Sequence, residues 1–224
     1  MQQIIRHFTD NDAYTFSCQY YVLQTYPRAE VEYTFFDRNK TVYPKGFADL
    51  LNEQLNYMRN VVITEEEIAF MQKKMYYLPK WYFIFLRGYR FNPREVTVSQ
   101  SPEGHLDISI RGKWYSTIMW EMPILSIVSE LTHILRGDNN SYNAERELDR
   151  ASLKTRKILS NGLILGDMGT RRRFSFDHQD NIIRTMKSIY QTGGYEDAEG
   201  FHPWSGKFTG TSNVYFAMKY DLIA

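Results

Sequence analysis

Cysteine is almost absent. Cys18 is the only one in 224 residues, which excludes an internal disulfide framework and a cysteine-built zinc site. An excess of charge of one sign is lacking too. Lys and Arg number 27 against 26 Asp and Glu, a formal net charge of +1. A general electrostatic pull toward nucleic acid is therefore not expected, and any basic patch must be local. No apolar run approaches the roughly 20 residues of a membrane span. The opening Met1-Gln-Gln-Ile-Ile-Arg-His-Phe8 is too short and interrupted for a secretory signal. Internal repeats and low-complexity tracts are missing as well. The expectation is a soluble chain with no membrane or nucleic-acid partner, suited to a reducing cytoplasm.

What is plentiful is apolar and aromatic surface. Hydrophobic residues make up 43% and aromatics 16%, ample for one large core or two small ones. Along the chain, a helix is expected over Asp12–Gln24, capped by Thr9 or Asp10, with Tyr14, Phe16, Tyr20 and Tyr21 on its face and mostly in the core. Val31–Asp37 alternates like a half-buried strand, and Lys45–Met58 reads as a helix. Thr64-Glu-Glu-Glu67 is a capping box that opens a helix to Met75. Trp81–Tyr89 is a third helical stretch, followed by a hairpin of Glu95–Gln100 and His105–Arg111 across Ser101-Pro-Glu-Gly104. This mixture predicts an α+β amino-terminal domain over residues 1–112.

Thr117–Leu135 is a long apolar helix whose Glu121 and Glu130 are expected to be paired or at the rim. Gly137–Asn140 is a loop, and Tyr142–Ser160 a charged helix suited to an outer layer. From there the pattern is strand (Leu163–Gly166), helix (Phe176–Tyr190), strand (Phe208–Thr211), helix (Val214–Leu222). That alternation predicts α/β architecture with parallel strands. Gln191–Gly206 is read as a lid, insertion or interface arm, with His202 plain surface.

The chemistry concentrates at two strand ends. Leu163-Ile-Leu165, closed by Gly166, suggests a buried parallel strand, and after it come Asp167-Met-Gly-Thr170 and three arginines, Arg171, Arg172 and Arg173. In α/β folds ligands collect where strands end, and an arginine fork matches phosphate or carboxylate oxygens two at a time. Three arginines can equally be a solvated charge run. The second strand end, Gly210-Thr-Ser-Asn213, tips the balance, because Ser212 or Asn213 can cap the following helix and its free N–H groups would seat a phosphate.

Gly166-Asp-Met-Gly-Thr-Arg-Arg-Arg-Phe-Ser175, Gly210-Thr-Ser-Asn213, Thr9-Asp-Asn-Asp-Ala-Tyr14 and Gly112-Lys-Trp-Tyr-Ser-Thr-Ile-Met-Trp-Glu121 resemble segments of nicotinate phosphoribosyltransferases, in the same order along the chain. The family commonly has Phe at Met168 and Lys at Thr15. The resemblance implies an irregular α/β barrel of the type II phosphoribosyltransferase kind, its first part over residues 113–224. It implies a reaction of nicotinate with phosphoribosyl pyrophosphate, coupled to ATP hydrolysis and using Mg2+. It implies a substrate site containing Tyr14, Met168, Gly169, Thr170, Arg171, Arg172, Ser212 and Asn213. It also implies a homodimer in which Tyr14 reaches across the interface to stack on the partner's pyridine ring. Tyr14 and Met168 would then sandwich the ring. The family's phosphorylated histidine lies in a Gly-Thr-x-Ala-His segment. None of His7, His105, His133, His178 or His202 is in one, so it is expected beyond Ala224.

Three other readings stand beside this one. A nicotinamide phosphoribosyltransferase shares the Asp-x-Tyr and Gly-x-Arg patterns but carries Asp where Ser212 stands. A non-catalytic dimerising remnant of the family would lack the later segments. A nucleic-acid module built on Arg171–Arg173 needs a strongly basic face, for which +1 leaves little room.

Overall fold

The computed structural model describes residues 2–137 and 143–224. Nine of the described helices and strands come before residue 143: α1 (Ala13–Thr25), β1 (Glu30–Thr34), α2 (Phe47–Tyr57), α3 (Glu65–Lys74), α4 (Lys80–Gly88), β2 (Val96–Gln100), β3 (Leu106–Lys113), α5 (Trp114–Thr117) and α6 (Glu121–Leu135), with α7 (Ala144–Ser160) next. Then follow β4 (Ile164–Asp167), α8 (Phe176–Gln191), β5 (Gly194–Asp197), β6 (Gly200–Pro203), β7 (Lys207–Thr211) and α9 (Val214–Tyr220). The loop expected at Gly137–Asn140 and the start of the helix expected at Tyr142 fall largely outside the described residues.

The first sheet is antiparallel, in the order β1-β3-β2. Its β2–β3 hairpin turns where Ser101-Pro-Glu-Gly104 predicts it, closed by the Gly104 amide donating to the Ser101 carbonyl at 2.9 Å. The capping box also forms. Thr64 Oγ1 accepts from the Glu67 amide, and the Glu67 carboxylate accepts from the Thr64 amide. Thr9 and Asp10 do not cap α1. Asp12 occupies that position without a side-chain capping bond, because Thr9 donates to Glu67 and Asp10 is taken by Arg173.

One large core runs from Ile4 to Leu131 and also takes Val214. Trp120 is fully buried in it, its ring 4.9 Å from Phe91 and its Nε1 donating to Glu95 at 2.9 Å. Burial of a side chain this large stabilises by about 3 kcal/mol or more. The core does not stop at the expected boundary near Gly112. It continues through α6, whose apolar face needs the amino-terminal helices to cover it. Of the α1 aromatics, Phe16 is fully buried, but Tyr21 is 55% exposed.

Trp114–Leu135 is long and apolar enough by composition to cross a membrane, contrary to the sequence expectation. Most of its apolar window is buried inside the protein's own core, and its Glu130 is paired there with Arg173. Length and composition alone do not separate a core helix from a span.

The second unit is built on β4 and β7, which pair in parallel. The parallel pairing agrees with the sequence reading, but the expected burial does not. Leu163 and Ile164 are 57% and 73% exposed, since β4 has a strand on only one side. At Gly210, φ is +127° and a side chain would collide with the Ile223 carbonyl, so the close approach of the chain there requires glycine. The stretch Gln191–Gly206, read as a lid, insertion or interface arm with no strand assigned to it, contains the β5–β6 hairpin. Its His202 stacks on Tyr195 and meets Asp197 at 2.9 Å.

Candidate functional site

Asp10–Asn11–Asp12 leads into α1, β4 ends at Asp167, β7 ends at Thr211, and these ends meet. The Asp167 carbonyl accepts from the Ser212 amide at 2.9 Å, and the Ser212 carbonyl accepts from the Ala13 amide at 2.8 Å. Asp167 organises the strand ends. Its carboxylate accepts from Thr211 Oγ1 at 2.7 Å, Gln179 Nε2 at 3.2 Å and the Gly169 amide at 3.2 Å. A side chain at Gly169 would press on that carboxylate from 3.0 Å.

The loop after β4 then divides its three arginines. Arg173 turns inward and is 1% exposed. Its Nη1 donates to both oxygens of Asp10, at 2.7 and 2.9 Å, and its Nε to Glu130 at 2.5 Å. Burial opposes its charge, but the two carboxylates outweigh burial and hold its pKa above the ordinary value. Burial raises Glu130 despite Arg173. Asn213 completes this buried seam, donating to Asp10 at 2.8 Å and to Thr170 Oγ1 at 3.1 Å. Glu130 is thus paired, as the sequence suggests, whereas Arg173 is a structural clamp that spends Nε and Nη1 on buried carboxylates.

Arg171 turns the other way. Its Nη1 donates to Glu121 at 3.2 Å and its Nη2 to the Tyr14 hydroxyl at 3.3 Å. Asp12 lies 3.7 Å from Nη2, and the guanidinium sits 5.6 Å from the centre of the Tyr14 ring. The Tyr14 hydroxyl in turn donates to Glu121 at 3.2 Å, and the Ser212 hydroxyl donates to Asp12 at 2.7 Å. Burial and the Glu121 charge push the Tyr14 phenol up to about 12. Burial also raises Asp12, against the Ser212 bond and Arg171. Each carboxylate beside Arg171 therefore has a second donor of its own.

Tyr14, Arg171 and Ser212 are brought together, with Asp12 linking the last two. Met168, 70% exposed, stands on the same loop. Thr170 and Asn213 are fully buried and engaged by protein groups, so they support the site from behind. Arg172 is exposed and lines a separate cleft with Gly169. The expected phosphate seat on α9 is closed. The amides of Val214, Tyr215 and Phe216 already donate to Asn11 O, Thr9 O and Asn213 Oδ1. Asn213, not Ser212, is the cap. Tyr14 meets Arg171 of its own chain, so that encounter needs no second subunit.

Sequence reasoning undervalued Glu121, Asp167 and Gln179. Glu121 closes the segment that carries the resemblance and stands out as an acid on an apolar helix, where it is expected only to be paired or at the rim. Among the described residues no three His, Cys, Asp or Glu side chains are arranged to hold a metal ion, and the Asp167 oxygens are already occupied. A Mg2+ that arrives on substrate phosphates asks no such group of the protein.

A parallel strand pair with charged groups gathered at its carboxy ends belongs to the ligand-binding class of α/β proteins. Comparison with known proteins makes this specific. The profile described as nicotinate phosphoribosyltransferase N-terminal domain matches residues 9–129, and that of the nicotinate phosphoribosyltransferase family matches residues 163–224. The chain is 36% identical over 220 residues to a nicotinate phosphoribosyltransferase of Desulforapulum autotrophicum, covering 98% of this chain and 52% of that one. It is 34% identical over 238 residues to that of Methanosarcina mazei, covering 98% and 54%. The crystal structure of the Porphyromonas gingivalis nicotinate phosphoribosyltransferase matches with a TM-score of 0.83 at 32% identity, covering 98% of this chain and 52% of that one. A putative nicotinate phosphoribosyltransferase from Saccharomyces cerevisiae matches with a TM-score of 0.85 at 27% identity, covering 100% and 54%. The chain belongs to the nicotinate phosphoribosyltransferase family. It spans about half the length of the relatives it matches.

Proposed function

We propose that the protein to which this chain belongs forms nicotinate mononucleotide and pyrophosphate from nicotinate and phosphoribosyl pyrophosphate, with ATP hydrolysis, in salvage synthesis of NAD. The observation that carries this reading is the meeting of Tyr14, Arg171 and Glu121 at the carboxy end of β4, in a chain of this family. As pyrophosphate leaves, the ribosyl C1 gains positive charge and the pyridine nitrogen attacks it. Such a reaction asks the protein mainly for ring placement and charge stabilisation.

Arg171 is the candidate partner of the nicotinate carboxylate. When it turns to substrate, Glu121 keeps the Tyr14 hydroxyl and Asp12 keeps the Ser212 hydroxyl. Neither acid is left without a donor. Tyr14 and Met168 would flank the ring, and Gly169 gives the loop its close turn. Ser212 favours nicotinate over nicotinamide, because an aspartate there would repel the substrate's carboxylate. Mg2+ enters on the phosphate oxygens of phosphoribosyl pyrophosphate and ATP, as part of those substrates.

A homodimer belongs to the same reading. Tyr14 is 37% exposed at the surface, so two copies could exchange this contact and make it in trans. An exposed free thiol at Cys18 suits the cytoplasm. The test is nicotinate-dependent pyrophosphate release by the full-length protein, with Arg171→Ala as control. Release that is equal with nicotinamide, or no release at all, overturns the proposal.

A further inference from the structure

A cleft of about 510 Å³ opens among the amino-terminal turns of α7 and α8, the carboxy end of α6 and the loop after β4. Its lining includes Arg146, Arg172, Arg173, His133 and His178, and none of Tyr14, Asp12, Glu121 or Arg171. It shares Asp167 and Gly169 of the strand-end loop with the site described above, but none of the groups around Arg171 lines it.

Three observations give this cleft an unmet demand for negative charge. Arg146 and Arg172 are exposed, and their guanidinium groups have no hydrogen bond or ion pair with another described residue. Behind them the buried Arg173 uses Nε and Nη1 on Glu130 and Asp10, while its Nη2 has no partner. A buried donor left unsatisfied costs free energy that an incoming acceptor can recover. The cleft also receives the amino-terminal ends of α7, 17 residues long, and α8, 16 residues long, whose dipoles favour an anion.

The acids on its wall do not supply the missing charge. Glu147 is held by Arg150 at 3.0 and 3.2 Å, and Asp167 is held by Thr211, Gln179 and the Gly169 amide. Burial lowers the His178 pKa, opposed by Glu147 and reinforced by His133. The arginines therefore provide the positive charge near neutral pH.

We propose that this cleft is a second anion site, binding a phosphate group through Arg146 and Arg172 over the unpartnered Nη2 of Arg173. Two guanidinium forks suit the several oxygens of a phosphate better than a single carboxylate. A cleft of this size holds more than a bare ion, so the phosphate can be free or part of a phosphorylated small molecule.

The test is calorimetric titration of the chain at low and moderate salt with orthophosphate, pyrophosphate and adenosine monophosphate. Saturable binding is expected, on the order of tenfold or more weaker in Arg146→Ala/Arg172→Ala and retained in Arg171→Ala. Both substituted arginines are exposed, and unchanged thermal melting checks that the double variant is folded. Equal affinity for orthophosphate and adenosine monophosphate identifies free phosphate as the ligand. Tighter nucleotide binding identifies a phosphorylated small molecule. Absence of saturable binding, or binding that the double variant leaves intact, overturns the proposal. Loss in Arg171→Ala instead assigns the binding to the other site and overturns it equally.

Discussion

Two ion clusters hang from one loop, two residues apart, and they differ in how far water reaches them. In the inner cluster Arg173, Asp10 and Glu130 are 1%, 0% and 7% exposed, with contacts of 2.5–2.9 Å. In the outer cluster Arg171 and Glu121 are 37% and 39% exposed, Asp12 alone being buried, and the arginine's contacts stretch from 3.2 to 3.7 Å. Sealed charges interact strongly but carry a large desolvation cost, so they must stay matched. Half-wet charges at longer range are weakly held and can be traded for a ligand's charge. The inner cluster fixes the loop to α6 and to the amino-terminal segment, and the outer one uses that fixed loop as a platform.

The largest effect should come from breaking the inner cluster. Arg173→Leu leaves two buried carboxylates without their cation and should lower stability by about 3–5 kcal/mol, read as a fall in the urea midpoint. A loss below about 1 kcal/mol, within the range of exposed pairs, would erase the distinction between the clusters.

Arg171→Ala should do the reverse. Stability should change by less than about 1 kcal/mol, while the full-length enzyme's KM for nicotinate rises roughly tenfold to a hundredfold. Steady-state kinetics beside an unfolding curve measures both. Unchanged kinetics would return Arg171 to ordinary surface.

Ser212→Asp sharpens the outer cluster. It places a second carboxylate where a hydroxyl now donates to Asp12 at 2.7 Å, so the pair would share a proton. Nicotinate use should weaken by about 1–3 kcal/mol, and nicotinamide use should weaken less. Equal losses with both substrates would make Ser212 a tether for Asp12 and no more.

The smallest effect is spectroscopic. Tyr14 should ionise near pH 12, not at its ordinary 10.0, seen as a late component of phenolate absorbance that Tyr14→Phe removes. A raised folded-state pKa means that the native state holds the proton longer. This contribution to stability is complete below about pH 10 and is lost as pH rises through about 12. Titration of Tyr14 at its ordinary value would show that neither burial nor Glu121 acts on it.

Much of this was legible in the chain because it depends on neighbours in sequence. The capping box at Thr64–Glu67, the turn before Gly104 and the strand–loop–helix run from Ile164 through α8 are set by bonds spanning a few residues. The arginine run marked the right loop. It did not sort the arginines, since exposure is decided by segments up to 163 residues away, as Asp10 is from Arg173. Glu121 read as a structural acid for the same reason, because its partners Tyr14 and Arg171 are 107 and 50 residues distant. The hairpin inside Gln191–Gly206 was missed because its strands have four residues each, too few to show an alternation.

By itself the sequence determined the elements, their order and the places where charge gathers, since local hydrogen bonds and hydrophobic periodicity are written into adjacent residues. Only the tertiary structure decided which arginine is a clamp, which faces Tyr14 and which opens onto a separate cleft. That choice follows from how much water each guanidinium retains once α1, α6 and the two parallel strands close around the loop.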